Sequence, residues 1–241
     1  MMQAAPALHL EGVGLDFGSA PLFHDLDLKI GGGIMTVLLG ASGVGKTSLL
    51  RMLGGLAAPD RGCIVAGDGL PLAGRIAWMG QQDLLLPWAS IADNVMLGAR
   101  LRGESPDRAR MGHLLDCVGL AAHAAALPAT LSGGMRQRAA LARVLYEDRP
   151  VILMDEPFSA LDSVTRARMQ DLAGRMLAGR TVVLITHDPL EACRLADSML
   201  LMAGHPATIS AIAVPDGQVP RAVDDPSVLA TQSALLRRML Q

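Results

Sequence analysis

Aromatic residues and cysteines are scarce in this sequence of 241 residues. Phe, Trp and Tyr together make up 2% of the chain, so the hydrophobic core must be packed from Leu, Val, Ile, Met and Ala. The three cysteines, Cys63, Cys117 and Cys193, stand singly. They have neither the CxxC spacing of many metal and redox sites nor the even number of a secreted disulfide framework. We therefore expect three inert thiols.

Long apolar runs and basic clusters are also missing. Although 51% of the residues are apolar, no run approaches the roughly 18 residues of a membrane-spanning helix. The opening MMQAAPALHLEGV has no basic stretch before an apolar core, so we expect no secretory signal and a cytosolic protein. The net charge is −2 and no segment is rich in Lys and Arg, which argues against nucleic acid as a partner.

The first third of the chain predicts strands and one helix. Residues 7 to 30 indicate a hairpin joined through Gly-Ser-Ala-Pro, and the apolar run 34–39 indicates a strand buried on both faces. A helix should run from Lys46 to about Leu56, followed by short strands at 63–67 and 75–80. In the second hairpin strand, side chains should alternate between the two faces of the sheet. One face would carry Leu22, His24, Leu26 and Leu28, and the other would carry Phe23, Asp25 and Asp27.

The rest of the chain predicts a doubly wound α/β fold. Residues from about 90 to 148 indicate an inserted helical subdomain, with Pro106 at the first position of one helix. Strands at 151–154 and 181–185 with a helix between them indicate a parallel sheet. Two weaker strands follow Asp197, and a final helix is expected from 227 to 240. We predict a single domain over 1–241 with a C-terminal extension from about 215.

The segment from Gly40 to Thr47 matches G-x-x-x-x-G-K-[ST] between a buried strand and an apolar helix. In such a loop the backbone N–H groups point inward at phosphates, Lys46 reaches the β- and γ-phosphates, and Thr47 binds Mg²⁺. The alternative is a chance glycine turn with an exposed lysine. The residues predicted to bind the nucleotide here are Gly40, Ser42, Gly43, Gly45, Lys46, Thr47 and Ser48.

Two later strands end in residues suited to ATP hydrolysis. Asp155 and Glu156 close the strand at 151 and point to different sides, so Asp155 can hold Mg²⁺ while Glu156 polarises the attacking water. His187 follows the strand at 181–185, where it can contact the γ-phosphate or that water. The alternatives are solvated acids at a strand end and an ordinary loop histidine.

A second anion site is predicted at Ser132, Gly133 and Gly134. Serine is a good helix N-cap, and two glycines leave bare amides at the positive end of the helix dipole. One chain needs one γ-phosphate site for one nucleotide, so this second site would close over the ATP of another subunit. A simply capped helix is the alternative.

These motifs, in this order, resemble the ATP-binding cassette (ABC) ATPase family over nearly the whole chain. The resemblance implies a P-loop NTPase with a RecA-like parallel sheet core, an N-terminal antiparallel β subdomain and an inserted helical subdomain. It implies that Gln81 senses Mg²⁺ and the γ-phosphate, that Ser159–Asp162 form the D-loop at a homodimer seam, and that Phe17 stacks on adenine. A core aromatic would look the same as Phe17. The signature departs from the family at Met135, where glutamine is usual.

The segment from Gln81 to Trp88 (QQDLLLPW) narrows the resemblance to importer ATPases for nitrate, sulfonate, taurine and pyrimidine precursors of thiamine, with the last slightly favoured. Residues 204–209 resemble a short strand of the same group. The implied partners are an integral-membrane permease, which Trp88 would contact at the cytoplasmic face of the inner membrane, and indirectly an extracytoplasmic solute-binding protein. Trp88 as core filler is the alternative.

Three other functions stay open at the sequence level: a soluble ABC ATPase in repair, translation or regulation, an exporter half, and a scaffold that does not hydrolyse ATP. The single cassette without a coiled coil or basic arm argues against the first. The LLPW segment argues against the second, and Glu156 and His187 argue against the third. Regulation by a bound metabolite is not predicted.

Overall fold

Within the described residues, nine strands form two sheets. The structure, a computed structural model, describes residues 5–18 and 20–239, apart from the side chain of Phe17. A three-stranded antiparallel sheet has the order β2-β1-β4, and a six-stranded sheet has the order β5-β6-β7-β3-β8-β9. The strands are β1 (Leu8–Phe17), β2 (Ala20–Ile30), β3 (Met35–Gly40), β4 (Arg61–Ala66), β5 (Ile76–Met79), β6 (Val151–Asp155), β7 (Thr181–Ile185), β8 (Ser198–Ala203) and β9 (Thr208–Ile212).

In the part of the chain that the structure describes, eight α-helices lie between and after these strands, which confirms the predicted α/β class. Four of them, with two short 3₁₀ turns, occupy the stretch predicted to be helical. The division of the chain into a cassette with a helical subdomain stays a prediction. The helices are α1 (Lys46–Leu53), α2 (Ile91–Val95), α3 (Leu97–Leu101), α4 (Arg108–Cys117), α5 (Gly133–Tyr146), α6 (Ser163–Met176), α7 (Pro189–Leu195) and α8 (Pro226–Met239).

The predicted alternation in β2 is wrong. Phe23, Leu26 and Ile30 are the buried residues, whereas His24 is exposed. The cause is a bulge: Val13 pairs with Leu26 but Leu15 pairs with Phe23, so one extra residue lies in β2. An extra residue moves the following side chains to the other face of a sheet.

Two predicted helix boundaries also differ. Helix α1 ends at Leu53 because Gly55 adopts a left-handed φ of 67°, which stops the helix before Leu56. Pro106 is not the first helical residue, since Asp107 caps α4 by accepting a hydrogen bond from the Arg110 N–H at 2.9 Å. Helix α8 begins at Pro226, and its predicted last residue, Leu240, lies outside the described residues.

The six-stranded sheet is buried at its centre. Every residue of β3, β6 and β7 is buried, as expected for strands covered on both faces. Strand β7 pairs in parallel with β6 on one side and with β3 on the other. The carboxyl ends of the three strands therefore meet at one edge, and the chain continues from that edge into the glycine loop, Glu156 and His187.

A buried polar cluster joins α6 to α7 behind this edge. Glu191 on α7 is 3% exposed and accepts a hydrogen bond from Gln170 on α6 at 3.2 Å. Burial, reinforced by the charge of Asp188, raises the pKa of Glu191 to about 8. Arg194 donates to Gln170 and, at 2.6 Å, to Asp171. Glu191 therefore keeps its proton in the folded protein near neutral pH.

We expect Glu191→Gln to change how stability depends on pH. The folded carboxyl holds its proton up to about pH 8, but the unfolded one loses it near the ordinary value of 4.5. This contribution to stability is therefore complete below about pH 4.5 and disappears as the pH rises through 8. Urea unfolding from pH 5 to 8 should show the wild type losing stability relative to the variant, by up to about 1.4 kcal/mol per pH unit.

The matched control is Glu104→Gln, which changes an exposed glutamate. This control should leave the pH profile of the wild type unchanged between pH 5 and 8. Parallel profiles for the wild type and Glu191→Gln would show that Glu191 does not bind a proton on folding in this range.

Candidate active site

The glycine loop joins β3 to α1 with the geometry of a phosphate cradle. Gly43 and Gly45 have φ values of 79° and 110°, which residues with a side chain rarely adopt. A Cβ on Gly45 would also lie 3.0 Å from the Leu22 side chain. Helix α1 begins directly after Gly45, so its free N–H groups and its positive dipole end face the loop.

Lys46 is held against this loop. Its Nζ donates to the carbonyls of Gly40 and Ala41 at 2.7 and 2.8 Å, and the residue is 7% exposed. Burial lowers the pKa of Lys46, while the charges of Glu156 and Asp155 act in the opposite direction. The alternative of an exposed lysine on a chance turn is therefore wrong.

Thr47 and Asp155 form an oxygen pair beside the loop. The Thr47 hydroxyl donates to Asp155 Oδ2 at 2.8 Å. Burial raises the pKa of Asp155, the hydrogen bond from Thr47 lowers it, and the charge of Glu156 raises it further. Across the described ranges, no group of three or more His, Cys, Asp or Glu side chains could hold a metal ion. Thr47 and Asp155 fit Mg²⁺, which takes one or two protein oxygens and completes its shell with phosphates and water.

Glu156 lies between the other two residues predicted to act in hydrolysis. Gln81 Nε2 donates to its Oε2 at 3.4 Å, and His187 Nδ1 is 3.0 Å from its Oε1. Glu156 has a φ of 49°, a left-handed conformation that costs about 1–3 kcal/mol for a residue with a side chain. The structure thus brings Gln81, Glu156 and His187 together, and their catalytic roles stay predictions.

A cavity of about 410 Å³ opens beside the glycine loop. The predicted residues Gly43, Gly45, Lys46, Thr47 and Ser48 line it. Gly40 and Ser42 are not in its lining, and Ser42 is exposed. The predicted contact of Phe17 with adenine concerns a side chain outside those described. The remaining lining residues are Ala20, Pro21, Leu22 and His205.

His205 at this cavity was not predicted. It lies in the turn between β8 and β9. Two residues further on, the buried Ala207 donates its N–H to the Leu22 carbonyl at 2.8 Å. The pairing of β8 with β3 and the hydrogen bond from Ala207 to Leu22 bring this turn to the cavity, and no local pattern in the sequence reveals these long-range contacts.

The second predicted anion site opens α5. Ser132 caps the helix by accepting a hydrogen bond from the Met135 N–H at 3.3 Å, and Gly133 and Gly134 form its first turn. Gly133 lines a separate cavity of about 370 Å³ together with Gln81 and Ser159. In the part of the chain that the structure describes, no hydrogen bond links residues 132–134 to the glycine loop.

The predicted D-loop follows Glu156 and leads into α6. Asp162 caps α6 by accepting hydrogen bonds from the N–H groups of Val164 and Thr165. The buried side chain of Gln137, on α5, donates to the Ser159 hydroxyl and accepts from the Ala160 N–H, both in the D-loop. Sequence reasoning gave Gln137 no role, although it lies one turn beyond Gly133 in a helix predicted to begin there.

Known proteins resemble this chain over nearly its whole length. Residues 23–159 match the ABC transporter family. An uncharacterized ABC transporter ATP-binding protein of Haemophilus influenzae is 39% identical, with 96% of this chain and 98% of that protein covered. The aliphatic sulfonates import ATP-binding protein SsuB 1 of Rhodococcus jostii is 42% identical, with 97% and 94% covered. SsuB of Delftia acidovorans is 43% identical, with 98% and 95% covered.

A solved structure shows the same fold. It is the dimeric ATP-binding cassette MJ0796 in a post-hydrolysis state with ADP and Pi, with a TM-score of 0.72 and 28% identity over 80% of this chain and 93% of that one. The agreement of sequence, fold and glycine-loop geometry shows that the chain belongs to the ABC transporter family, among its ATP-binding subunits.

Proposed function

We propose that this ABC ATPase drives an importer for aliphatic sulfonates. The observation that carries the proposal is the identity of 41–43% over nearly the full chain to several aliphatic sulfonates import ATP-binding proteins. Nitrate, taurine and a pyrimidine precursor are the other solutes that the resemblance of the QQDLLLPW segment implied. The names of these relatives favour sulfonates over the pyrimidine precursor that the QQDLLLPW segment slightly favoured.

Two copies of the chain would bind two ATP molecules between them. In each site Lys46 and the loop amides would hold the phosphates of one chain's ATP, and Ser132, Gly133 and Gly134 of the other chain would close over its γ-phosphate. The separate positions of the glycine loop and the α5 N-terminus within one chain support this arrangement. The dimeric state of the MJ0796 cassette supports it as well.

Hydrolysis would depend mainly on positioning and charge. Thr47 and Asp155 would hold Mg²⁺, which when bound neutralises charge on the β- and γ-phosphates. Glu156 would accept a proton from the attacking water, and Gln81 and His187, which already contact its carboxylate, would fix its orientation. Gln81 would add a contact to the metal ion.

An apolar surface beside the site would receive the permease. Trp88 is 76% exposed and Leu84 is 59% exposed, so the alternative of Trp88 as core filler is wrong. An apolar groove of about 450 Å³ lies at the edge strand β5 and includes Leu56 and Trp78. Arg143 on α5 donates to the carbonyls of Asp83 and Leu84 at 2.6 and 2.8 Å, which would connect a docked permease to α5.

The partner would supply the membrane passage. Between residues 5 and 239, leaving out position 19, none of the helices combines the length and apolar character needed to cross a bilayer. We propose that the chain works at the cytoplasmic face of the membrane with two permease subunits, and that an extracytoplasmic protein delivers the solute to them. A soluble ATPase without a permease is the second candidate, and the exposed Trp88 and Leu84 argue against it.

Glu156→Gln should slow ATP hydrolysis strongly and keep nucleotide binding. Removing a general base typically costs about 10²–10⁴-fold in rate, while the phosphate cradle is untouched. We expect ATP hydrolysis to fall by that factor and an ATP-dependent dimer to accumulate in size-exclusion chromatography. The control Glu104→Gln, at an exposed glutamate, should hydrolyse ATP normally. Hydrolysis at the wild-type rate by Glu156→Gln would refute the role of Glu156.

Trp88→Glu should separate the subunit from its permease. A charge at the centre of an apolar contact is costly to bury, so co-purification with a multi-spanning protein from detergent-solubilised native membranes should fall at least about tenfold. Leu229→Glu on α8 is the control, because Leu229 is also an exposed apolar residue, at 47%. Mass spectrometry identifies the partner. Equal recovery of the partner with both variants would exclude docking at Trp88, and recovery of soluble partners alone would favour the second candidate.

Loss of the gene should remove growth on an alkanesulfonate as the sole sulfur source and leave growth on sulfate intact. The wild-type gene should restore growth, and the Glu156→Gln gene should not, because transport requires hydrolysis. Growth of the deletion strain on the alkanesulfonate at the wild-type rate would contradict the proposed solute class. Binding of nitrate, taurine or a pyrimidine by the associated solute-binding protein would then identify the solute.

A further inference from the structure

Gln137 is a buried amide that joins the first turns of α5 to the active-site backbone. It is 6% exposed. Its Nε2 donates to the Glu156 carbonyl at 3.2 Å and to the Ser159 hydroxyl at 3.3 Å, and its Oε1 accepts from the Ala160 N–H at 2.9 Å. A primary amide can donate and accept at once, which no hydrocarbon side chain of that size can do. Gln137 therefore contacts the segment that begins at Glu156 at two places, the Glu156 carbonyl and the Ser159–Ala160 pair.

The segment that Gln137 holds includes a strained residue. Glu156 has a left-handed φ of 49°, and its carbonyl also accepts from the Ser159 N–H at 3.3 Å and from the Ser159 hydroxyl at 3.1 Å. The Glu156 N–H donates to the Ile185 carbonyl in β7 at 2.9 Å. Residues with a side chain keep such a conformation where their surroundings fix it. The bonds from Gln137 and Ser159 are part of that surrounding structure, so they help to set where the Glu156 carboxylate points.

The first turn of α5 also packs closely on the D-loop. A Cβ on Gly134 would lie 3.2 Å from the Ala160 carbonyl and 3.3 Å from the Leu161 side chain. Glycine at this position therefore permits close approach, in addition to exposing an amide. This same turn carries Ser132, Gly133 and Gly134, which the proposed function assigns to the partner subunit's ATP.

We propose that Gln137 is a positioning residue that couples the two ATP sites of the dimer. When the α5 N-terminus closes on the partner's nucleotide, the Gln137 amide, one turn along the same helix, carries that placement to the backbone of Glu156 and Ala160 in its own chain. Each site would therefore reach its hydrolytic geometry when the other is occupied. The inference rests on the proposed function of Glu156 and of residues 132–134.

The test is Gln137→Met, which keeps the length of the side chain and removes all three hydrogen bonds. We expect kcat for ATP to fall about tenfold or more, as for other small displacements of catalytic groups, while the KM changes less than about threefold. The Hill coefficient for ATP should fall toward 1. If Gln137 had only a structural role, the variant would have a lower melting temperature but would not show a large fall in kcat with a nearly unchanged KM.

Val144→Ala is the matched control for lost packing. Val144 lies on the same helix two turns further on and is 2% exposed, and its side chain has no polar atom to contact the active site. This variant should melt at a lower temperature and keep the kcat and the Hill coefficient of the wild type. A loss of both kinetic quantities in Val144→Ala equal to that in Gln137→Met would overturn the proposal, because general loosening of α5 would then explain both.

A second variant keeps the proposal testable if Gln137→Met does not fold. Gln137→Glu keeps an oxygen for the Ala160 N–H but has no N–H for the Glu156 carbonyl, so it should also lower kcat more than it raises KM. Wild-type kcat and Hill coefficient in a folded Gln137 variant would overturn the proposal. Glu156→Gln distinguishes failure of this inference from failure of the proposed function. If Glu156→Gln is inactive and a folded Gln137 variant is unaffected, only the role of Gln137 is rejected. If Glu156→Gln is active, the proposed function of Glu156 is rejected first.

Discussion

The parallel pairing of β7 with β6 and with β3 is the constraint on which the candidate site depends. Three strands buried over their whole length end at one edge of the sheet, in the register that pairs Asp155 with Ile185 and Ile185 with Leu38. The residues just beyond that edge come from three distant parts of the sequence. Burial on both faces fixes these strands. The packing of the strands therefore brings Lys46, Glu156 and His187 to the same edge, and contacts among these three side chains are not needed to bring them there.

Burial also sets the charges at this edge. Burial opposes the charged form of Lys46 and of Asp155, so it lowers the first pKa and raises the second. The opposite charges of these groups partly offset this effect. In the proposed function, this edge would present an ammonium and a hydrogen-bonded carboxylate to the phosphates of ATP. The carbonyls of Gly40 and Ala41 hold the ammonium in place.

The sequence predicts this edge well because its signals are local. Continuous apolar runs identify buried parallel strands, and the residues after such runs must share one edge, so Asp155, Glu156 and His187 could be placed together. The bulge in β2 could not be predicted, because it arises from pairing with β1 and leaves the sequence apparently alternating. The positions of His205 and Gln137 at the site could not be predicted for the same reason: their contacts depend on how a distant turn or helix approaches the site.

The left-handed backbone of Glu156 shows why those non-local contacts matter for the chemistry. Its conformation costs about 1–3 kcal/mol. Three hydrogen bonds converge on its carbonyl, from the Ser159 N–H, the Ser159 hydroxyl and the Gln137 amide, and at about 1 kcal/mol each they can offset that cost. One of the three comes from α5, and the residues that open this helix are the ones proposed to contact the partner's nucleotide. In the proposed dimer, the carboxylate geometry of one chain is thus linked, through α5, to the surface that would contact the partner's nucleotide.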